Sequence, residues 1–428
     1  MSKIKFGFAD EIIRFTRSQY CDGYAFRMSQ VEKTRDDLHV KVCAVKTDEN
    51  THLIFSIDSA GLNTKYYNLV TDQITALTGI KRENMSLSYI HTHSAPASGI
   101  LADMPVDTDY YAYMGEICGN MALRALDRAT ECSVEFAVLP EKLIHSVNRR
   151  NREDIIDRRI KAAVFKNSDG KVCGVFAHAS CHAVLQRDMH FSADFLCRLN
   201  DFSSDEVPFM YFQGRCGDIN PTWKKGEDIE EMTEILSKEL ADPVKKFSEN
   251  SGEGKYLEGE IKSAYETVLL PMREFDDTEM LKEKVKLYEE KYFSTPIEEV
   301  NKRFHLRDMQ WFREMLERTE KGISNDITVP LQILKIGEDL AFVFVPFELL
   351  TLTGNKLEKM LADKGYKEEC IYICGYSNSI HAYLTPEEEF DFGGYEVDGA
   401  AKWYNVSGTC IETERKLLAW YKEHIDKI

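Results

Sequence analysis

Six strand-length apolar runs in this chain each end in a polar cluster, and that recurrence limits the fold more than any other feature. The clusters are His91-Thr92-His93, Asn148-Arg149, Cys181-His182, Gln213 to Pro221, Glu348, and Asn378 to Tyr383. Loop polarity accounts for one or two such endings. Six of them, carrying His, Arg, Asp, Glu and Tyr, are what an active site along one rim of a sheet requires, because α/β folds collect ligands at the carboxyl ends of strands. The anchor is Leu87-Ser88-Tyr89-Ile90-His91-Thr92-His93-Ser94-Ala95-Pro96. Leu87 to His93 reads as a strand, so Leu87, Tyr89, His91 and His93 share one face and two imidazoles emerge side by side. That geometry suits a metal or a polar substrate, although His-x-His alone is a weak signal.

The surrounding pattern is mixed α/β. Leu38–Val45 and Leu53–Ile57 flank a polar turn and form a hairpin. Thr64–Thr78 has helical apolar spacing and stops at Gly79, so strand, helix and His-x-His strand make a βαβ-like unit. Asp107–Ala129 is a second amphipathic helix, followed by strands at Val134–Leu139 and Leu143–Val147. Asp169-Gly170 joins Ile160–Phe165 to Val172–Ala179 as another hairpin. Val207–Phe212 reads as a buried strand, residues 226–247 as an acidic helix, and residues 275–322 as a charged surface helical hairpin. Ile327–Ile336 and Leu340–Val345 form a further hairpin, then come a helix over 351–364 and a strand at Cys370–Cys374. No repeat, linker or composition shift divides the chain. The expected architecture is one large α/β domain over 1–428: a mixed β-sheet core with strand hairpins, flanked by helices in αββα-like layers.

Bulk properties narrow the function. The net charge of −18 is the wrong sign for tracking phosphates, so nucleic acid is not an expected partner. No apolar run reaches membrane-spanning length and the N-terminus lacks a signal-peptide pattern, so no stable membrane anchoring is expected. Eleven cysteines, odd in number and without a Cys-x-x-Cys pair, indicate neither a disulfide framework nor a zinc ribbon. A reducing cytoplasm is the simplest home.

The order and spacing of the motifs resemble the catalytic domain of the neutral/alkaline ceramidases. The matching pieces are Ile90 to Pro96, Ser146-Val147-Asn148-Arg149, Ser180 to Leu185, Ser192-Ala193-Asp194-Phe195, and Phe212 to Pro221. Val345-Pro346-Phe347-Glu348, Gly375 to Asn378, Tyr383 to Glu388 and Gly394-Tyr395-Glu396 complete the series, which spans nearly the whole chain. The resemblance implies a zinc amidase with Zn2+ on His91, His182, Glu348 and Tyr383. Two imidazoles and a carboxylate are a common catalytic zinc triad. Tyr376 is the rival for Tyr383, in the same loop, and His178 is the rival for His182, four residues earlier. His93 is suited to oxyanion donation or proton movement, and Arg149 matches an arginine facing the active site. Asp218 either holds His93, positions a water, or merely caps backbone N–H groups.

Two departures matter. The ceramidases carry a proposed serine nucleophile where this chain has Asn220, and an amide cannot attack a carbonyl. Metal-activated water then becomes the expected nucleophile, with Asn220 as an oxyanion donor. The chain also ends at Ile428 without the family's C-terminal domain and begins without its leader, so a small soluble amide is expected as substrate in place of ceramide. Leu101–Thr108, with Met104 and Pro105, is expected to line a small pocket. A TIM-barrel amidohydrolase is rejected because hairpins precede His-x-His. A hydrolase acting on an ester, a cysteine hydrolase on Cys216, and a degenerate metal- or ligand-binding member are the remaining rivals; Cys181 and His182, adjacent in a strand, face opposite sides and cannot pair.

Overall fold

Three sheets present one apolar face each to a shared interior in the computed structural model, which describes residues 3–15, 17–27, 29–224 and 226–428. The first sheet contains β1 (Lys5–Ile12), β2 (His39–Lys46), β3 (Thr51–Ile57) and β4 (Met85–Tyr89), in the order β4-β3-β2-β1. Its β3–β4 pair is parallel, and α1 (Thr64–Thr78) joins the two strands, giving the expected βαβ-like unit. The second sheet is built from β5 (Ser133–Lys142), β7 (Arg159–Lys166), β8 (Val172–Ala179) and β9 (Phe209–Gln213), with β8 and β9 parallel. A short β6 (Ser146–Asn148) pairs with β10 (Ile219–Pro221) at its rim. The third sheet runs β11 (Ile261–Leu270), β12 (Ile327–Ile336), β13 (Leu340–Phe344) and β15 (Ile371–Cys374), while β14 (Glu348–Leu349) pairs in parallel with β16 (Tyr383–Leu384).

Alternation along the strands explains the layering. Phe6, Phe8, Cys43, Val45 and Ile54 point inward to meet Phe165, Phe176, Phe212, Phe342, Phe344 and Tyr372 from the other two sheets. The opposite face of the first sheet, with Val40, Val42, Leu53, Phe55 and Leu87, packs under α1 and α2 (Thr108–Asp127). The second sheet is covered by α3 (Ile229–Asn250) through Leu236, Leu240 and Val244. The third is covered by α6 (Thr351–Ala362) and α7 (Ile411–Ile425) through Leu357, Leu361, Leu417 and Tyr421. Strands buried on both faces read as near-continuous apolar runs, which is why their limits were legible. The charged stretch is a helical hairpin, α4 (Thr278–Ser294) and α5 (Val300–Lys321), as expected.

Helix limits follow local chemistry. Asn63 caps α1 by accepting from the Tyr66 N–H, and Gly79, at φ 73°, closes it. Asp107 caps α2 in the same way. One expectation fails. The His-x-His strand ends at Tyr89, and His91 adopts φ 59°, in the left-handed region. Simple alternation therefore does not place His91 and His93. The turn after the strand does.

Candidate metal centre and active site

The loops after β4, β8, β9, β13 and β15 are stitched to one another by backbone bonds. His91 N donates to Ser59 O (3.0 Å), His93 N to Ala183 O (3.0 Å), and His182 N to Ile219 O (3.0 Å). Gly217 N donates to Leu349 O (2.8 Å), Tyr376 N to Phe347 O (3.0 Å), and Tyr89 N to Tyr376 O (3.0 Å). Gln213 fastens two loops with one amide, donating from Nε2 to Ile90 O (3.0 Å) and Cys181 O (2.8 Å). Arg149 N donates to Asp218 O (2.9 Å) and brings in the Asn148-Arg149 ending, so the polar strand endings meet at one rim.

His91, His93 and His182 converge so that one ring nitrogen of each lies within 4.8 Å of the others. His91 Nε2 lies 3.2 Å from His93 Nε2 and 3.6 Å from Glu348 Oε2; His182 Nε2 lies 3.0 Å from that same oxygen. The opposite nitrogens are committed. His91 Nδ1 donates to Ala60 O (2.6 Å) and His182 Nδ1 to Cys216 O (2.6 Å), and a carbonyl only accepts, so both Nδ1 atoms carry hydrogen. Burial lowers the pKa of His182 to about 4, which leaves its Nε2 a lone pair at neutral pH. Burial, with His91 and His182 close by, also depresses His93. When both rings are neutral, their Nε2 lone pairs face a buried carboxylate, an arrangement that a divalent cation satisfies and that carbonyl-locked imidazoles are typically oriented to serve. The residues present fit a metal ion.

Tyr383 is the direct register partner of Glu348 and lines the small cavity beside the cluster. That cavity, about 40 Å3, is also bounded by Gly23, Ala60, Leu101, Tyr395 and Trp403. Tyr376 does not border it; its ring packs on His91 with centroids 4.1 Å apart, and its hydroxyl lies 3.5 Å from Glu348 Oε2. Tyr376 also sits at φ 51°, so two buried non-glycine residues of the centre occupy the left-handed region. Such outliers persist only where surrounding structure over-determines them, and they concentrate at functional sites.

Arg149 donates from Nε to Glu396 (2.7 Å), from Nη2 to Gly217 O (2.6 Å), and from Nη1 to Asn220 Oδ1 (3.3 Å). Its guanidinium lies 5.3 Å from the Tyr383 ring centre. Because arginine only donates, Asn220 turns its oxygen to Arg149 and keeps its NH2 for other partners. Asp218 shows the capping contacts expected of one of its three roles. Its Oδ1 accepts from Thr351 N (3.0 Å) and Thr351 Oγ1 (2.7 Å) at the start of α6, and its Oδ2 accepts from Asn148 (2.9 Å). It caps a helix and ties two loops, and no bond joins it to His93. His178 donates to Ile373 O (2.9 Å) and stands outside the cluster. Cys216 is fully buried, donates to the Tyr376 hydroxyl (3.2 Å), and burial pushes its thiol well up, which is the reverse of an activated nucleophile.

Sequence reasoning missed the Cys21–Arg27 segment, Trp403 and Tyr404. Gly23 lies against His93, and a Cβ there would fall 2.3 Å from His93 Cβ, so only glycine fits. Arg27, buried, donates to His93 O, to Ser94 Oγ (3.0 Å) and to Gln186 O (3.0 Å). None of these residues lies in a periodic run or a strand ending; the isolated Asp22-Gly23 pair was the one available signal. The loop after His-x-His divides between two spaces. Ile100 and Leu101 border the site cavity, whereas Met104 and Pro105 line a separate groove of about 520 Å3 against α4 and α5.

No family model and no curated protein matches the sequence. Solved structures do match in fold. Neutral ceramidase from Pseudomonas aeruginosa superposes with a TM-score of 0.73 at 14% identity, over 100% of this chain and 75% of that one. A ceramidase described as complexed with C2 superposes with a TM-score of 0.72 at 14% identity, over 99% of this chain and 75% of that one. The chain has a neutral-ceramidase-like fold.

Proposed function

We propose that this protein is a metal-dependent hydrolase of a C–N amide bond in a small, soluble N-acyl substrate. The observation that carries the reading is the acceptor-only cluster of His91, His182 and Glu348, with both Nδ1 hydrogens spent on backbone carbonyls. Zn2+ suits such nitrogen and oxygen donors, with Tyr383 from the cavity wall as the fourth group and His93 as an alternative third imidazole. An ion there supplies Lewis acidity and brings the pKa of water to about 7.

The chain's own residues do the remaining work. Ala60 O and Cys216 O orient His91 and His182. His93, whose Nδ1 is buried without a hydrogen-bond partner, accepts or returns a proton at Nε2 beside the reacting carbonyl. Arg149 turns the Asn220 amide so that its N–H groups are available to an oxyanion, and Arg149 places positive charge against Tyr383. The hydrolysis balances simply: water adds its oxygen to the acyl carbon, the C–N bond breaks, and the amine leaves with the proton.

The eleven cysteines are all free thiols, which supports a reducing compartment such as the cytoplasm. No helix among the described residues is long and apolar enough to cross a membrane. The test is metal analysis of the purified protein together with hydrolysis of an N-acyl and ester panel before and after chelation. About one metal per chain, and turnover lost to chelator and restored by Zn2+, are expected. Turnover indifferent to chelator in metal-free protein sinks the mechanism. Bound metal without turnover on any amide or ester points to a binding protein.

A further inference from the structure

The loop that begins at His182 carries an arginine, Arg187, that the chemistry above does not use. Its guanidinium carbon sits 4.7 Å from the Trp223 ring centre and 5.6 Å from that of Tyr24. Both aromatics belong to segments that already border the centre. Tyr24 follows Gly23 of the cavity wall, packs edge-on to His93 with centroids 5.1 Å apart, and donates its hydroxyl to Val184 O. Trp223 follows Asn220 by three residues and is pinned through Nε1 to Glu227 O (3.0 Å).

Arg187 is itself exposed, and among the described residues no carboxylate forms an ion pair with it. That is unusual in this neighbourhood. Asp188 and Glu230 pair with Arg35, and Arg150 and Arg152 pair with Glu389. In a chain of net charge −18 with 72 acidic residues, this guanidinium has no carboxylate partner among the described residues, while two rings restrict its plane. A planar guanidinium held by aromatic stacking is preorganised for two-pronged binding of a carboxylate, because less side-chain freedom is lost per hydrogen bond.

We propose that Arg187, clamped between Tyr24 and Trp223, binds a carboxylate on the amine half of the substrate, which makes the substrate an N-acyl amino acid. This rests on the amide-hydrolase reading and refines it. The acyl carbonyl lies at the histidine cluster, the leaving amine points outward past His93, and its carboxylate meets Arg187.

The test compares N-hexanoylglycine with N-hexanoylglycinamide, which has the same shape without the charge, following hexanoate release by the metal-loaded enzyme. The carboxylate substrate is expected to be favoured in kcat/KM by about 10–100-fold, chiefly through KM. Arg187→Gln erases that preference and leaves the carboxamide rate unchanged; Arg187→Lys restores part of it. Equal rates for the two substrates in the parent enzyme, or a preference that survives in R187Q, overturn the proposal. If neither compound is hydrolysed, the amidase reading has failed on these substrates, and calorimetric binding of the same pair decides. Tighter binding of hexanoylglycine that vanishes in R187Q sustains the carboxylate site. No difference between the pair, or no binding of either, overturns it.

Discussion

Two buried polar clusters stand a few residues apart in this protein, and they are built on opposite principles. The first is the histidine–carboxylate centre. The second is the ion network of Asp157, Arg159, Lys161, Arg215 and Glu358, in which Arg215 and Lys161 are fully buried. In that network, Glu358 accepts from Lys161 (2.6 Å) and Arg159 (2.8 Å) and forms an ion pair with Arg215 (2.9 Å), and Asp157 accepts twice from Arg159. Cations meet anions. At the centre, lone pairs converge on a carboxylate and the donors point outward to carbonyls. Burial costs both clusters desolvation, but only the network repays it from within the chain. A buried cluster whose charges pair with one another is scaffold, and one whose acceptors converge is a binding site.

That contrast can be broken by experiment, beginning where the effect is largest. Glu348→Gln removes the anionic member of the centre. Turnover is expected to fall about a thousandfold or more, since several kcal/mol of metal-derived stabilisation are lost, while stability of the chelated protein in urea is unchanged or higher. A metal-free variant that unfolds much more easily than its parent would mean the centre is scaffold too. Glu358→Gln does the reverse, leaving an uncompensated buried cation and costing about 3–5 kcal/mol in urea unfolding, with metal content intact. Metal loss in correctly folded E358Q would merge the two clusters into one unit.

Asn220→Ala probes the centre more gently. Loss of one oxyanion donor lowers kcat by about 100-fold, with metal content unchanged; full turnover would remove Asn220 from the chemistry. Acid sharpens the comparison from the network's side. Asp157 and Glu358 are held below their ordinary values by Arg215, Arg159 and Lys161, despite burial. A depressed carboxylate contributes stability above its unfolded pKa and loses it as pH falls, so this share disappears below about pH 4. His178, lowered by burial to about 3, acts earlier: between about pH 6.5 and 3 the unfolded chain binds its proton and the folded one does not, so stability declines as pH falls through that window. His178→Gln should flatten the upper part of the acid-unfolding curve and E358Q the lower part. The smallest effect is expected from Cys216→Ser, which keeps a donor to Tyr376. Activity should stay within a few-fold, and abolition would revive a thiol mechanism.

Much of the scaffold was legible because local chemistry governs it. Thr64–Thr78 was readable because its apolar residues keep helical spacing and Gly79 stops it, and the strands were readable because both faces are apolar. The centre was legible only as a list of strand endings. Extending Leu87–His93 as one strand assumed alternating side chains past Tyr89, and the left-handed turn at His91 defeats that rule. The sequence left Asp218 open between capping and chemistry; its partner Thr351 lies 133 residues away, a distance no local spacing encodes. Gly23, Arg27, Trp403 and Arg187 carry no periodicity; their neighbours are set by tertiary contacts that no spacing encodes.

The left-handed turns at His91 and Tyr376 bear on how this centre comes into being. Tyr89 N reaches Tyr376 O and Asn378 N reaches Leu87 O, so each turn is braced by a segment nearly 300 residues distant. Neither conformation is favoured for its residue in isolation. The first and third sheets must therefore dock before either turn is secured, and affinity for metal should arise in a single step with global folding. Fragments that retain the His-x-His loop but lack residues 345–384 have nothing to brace it, and would show the weak, exchangeable metal affinity of an ordinary histidine-bearing peptide.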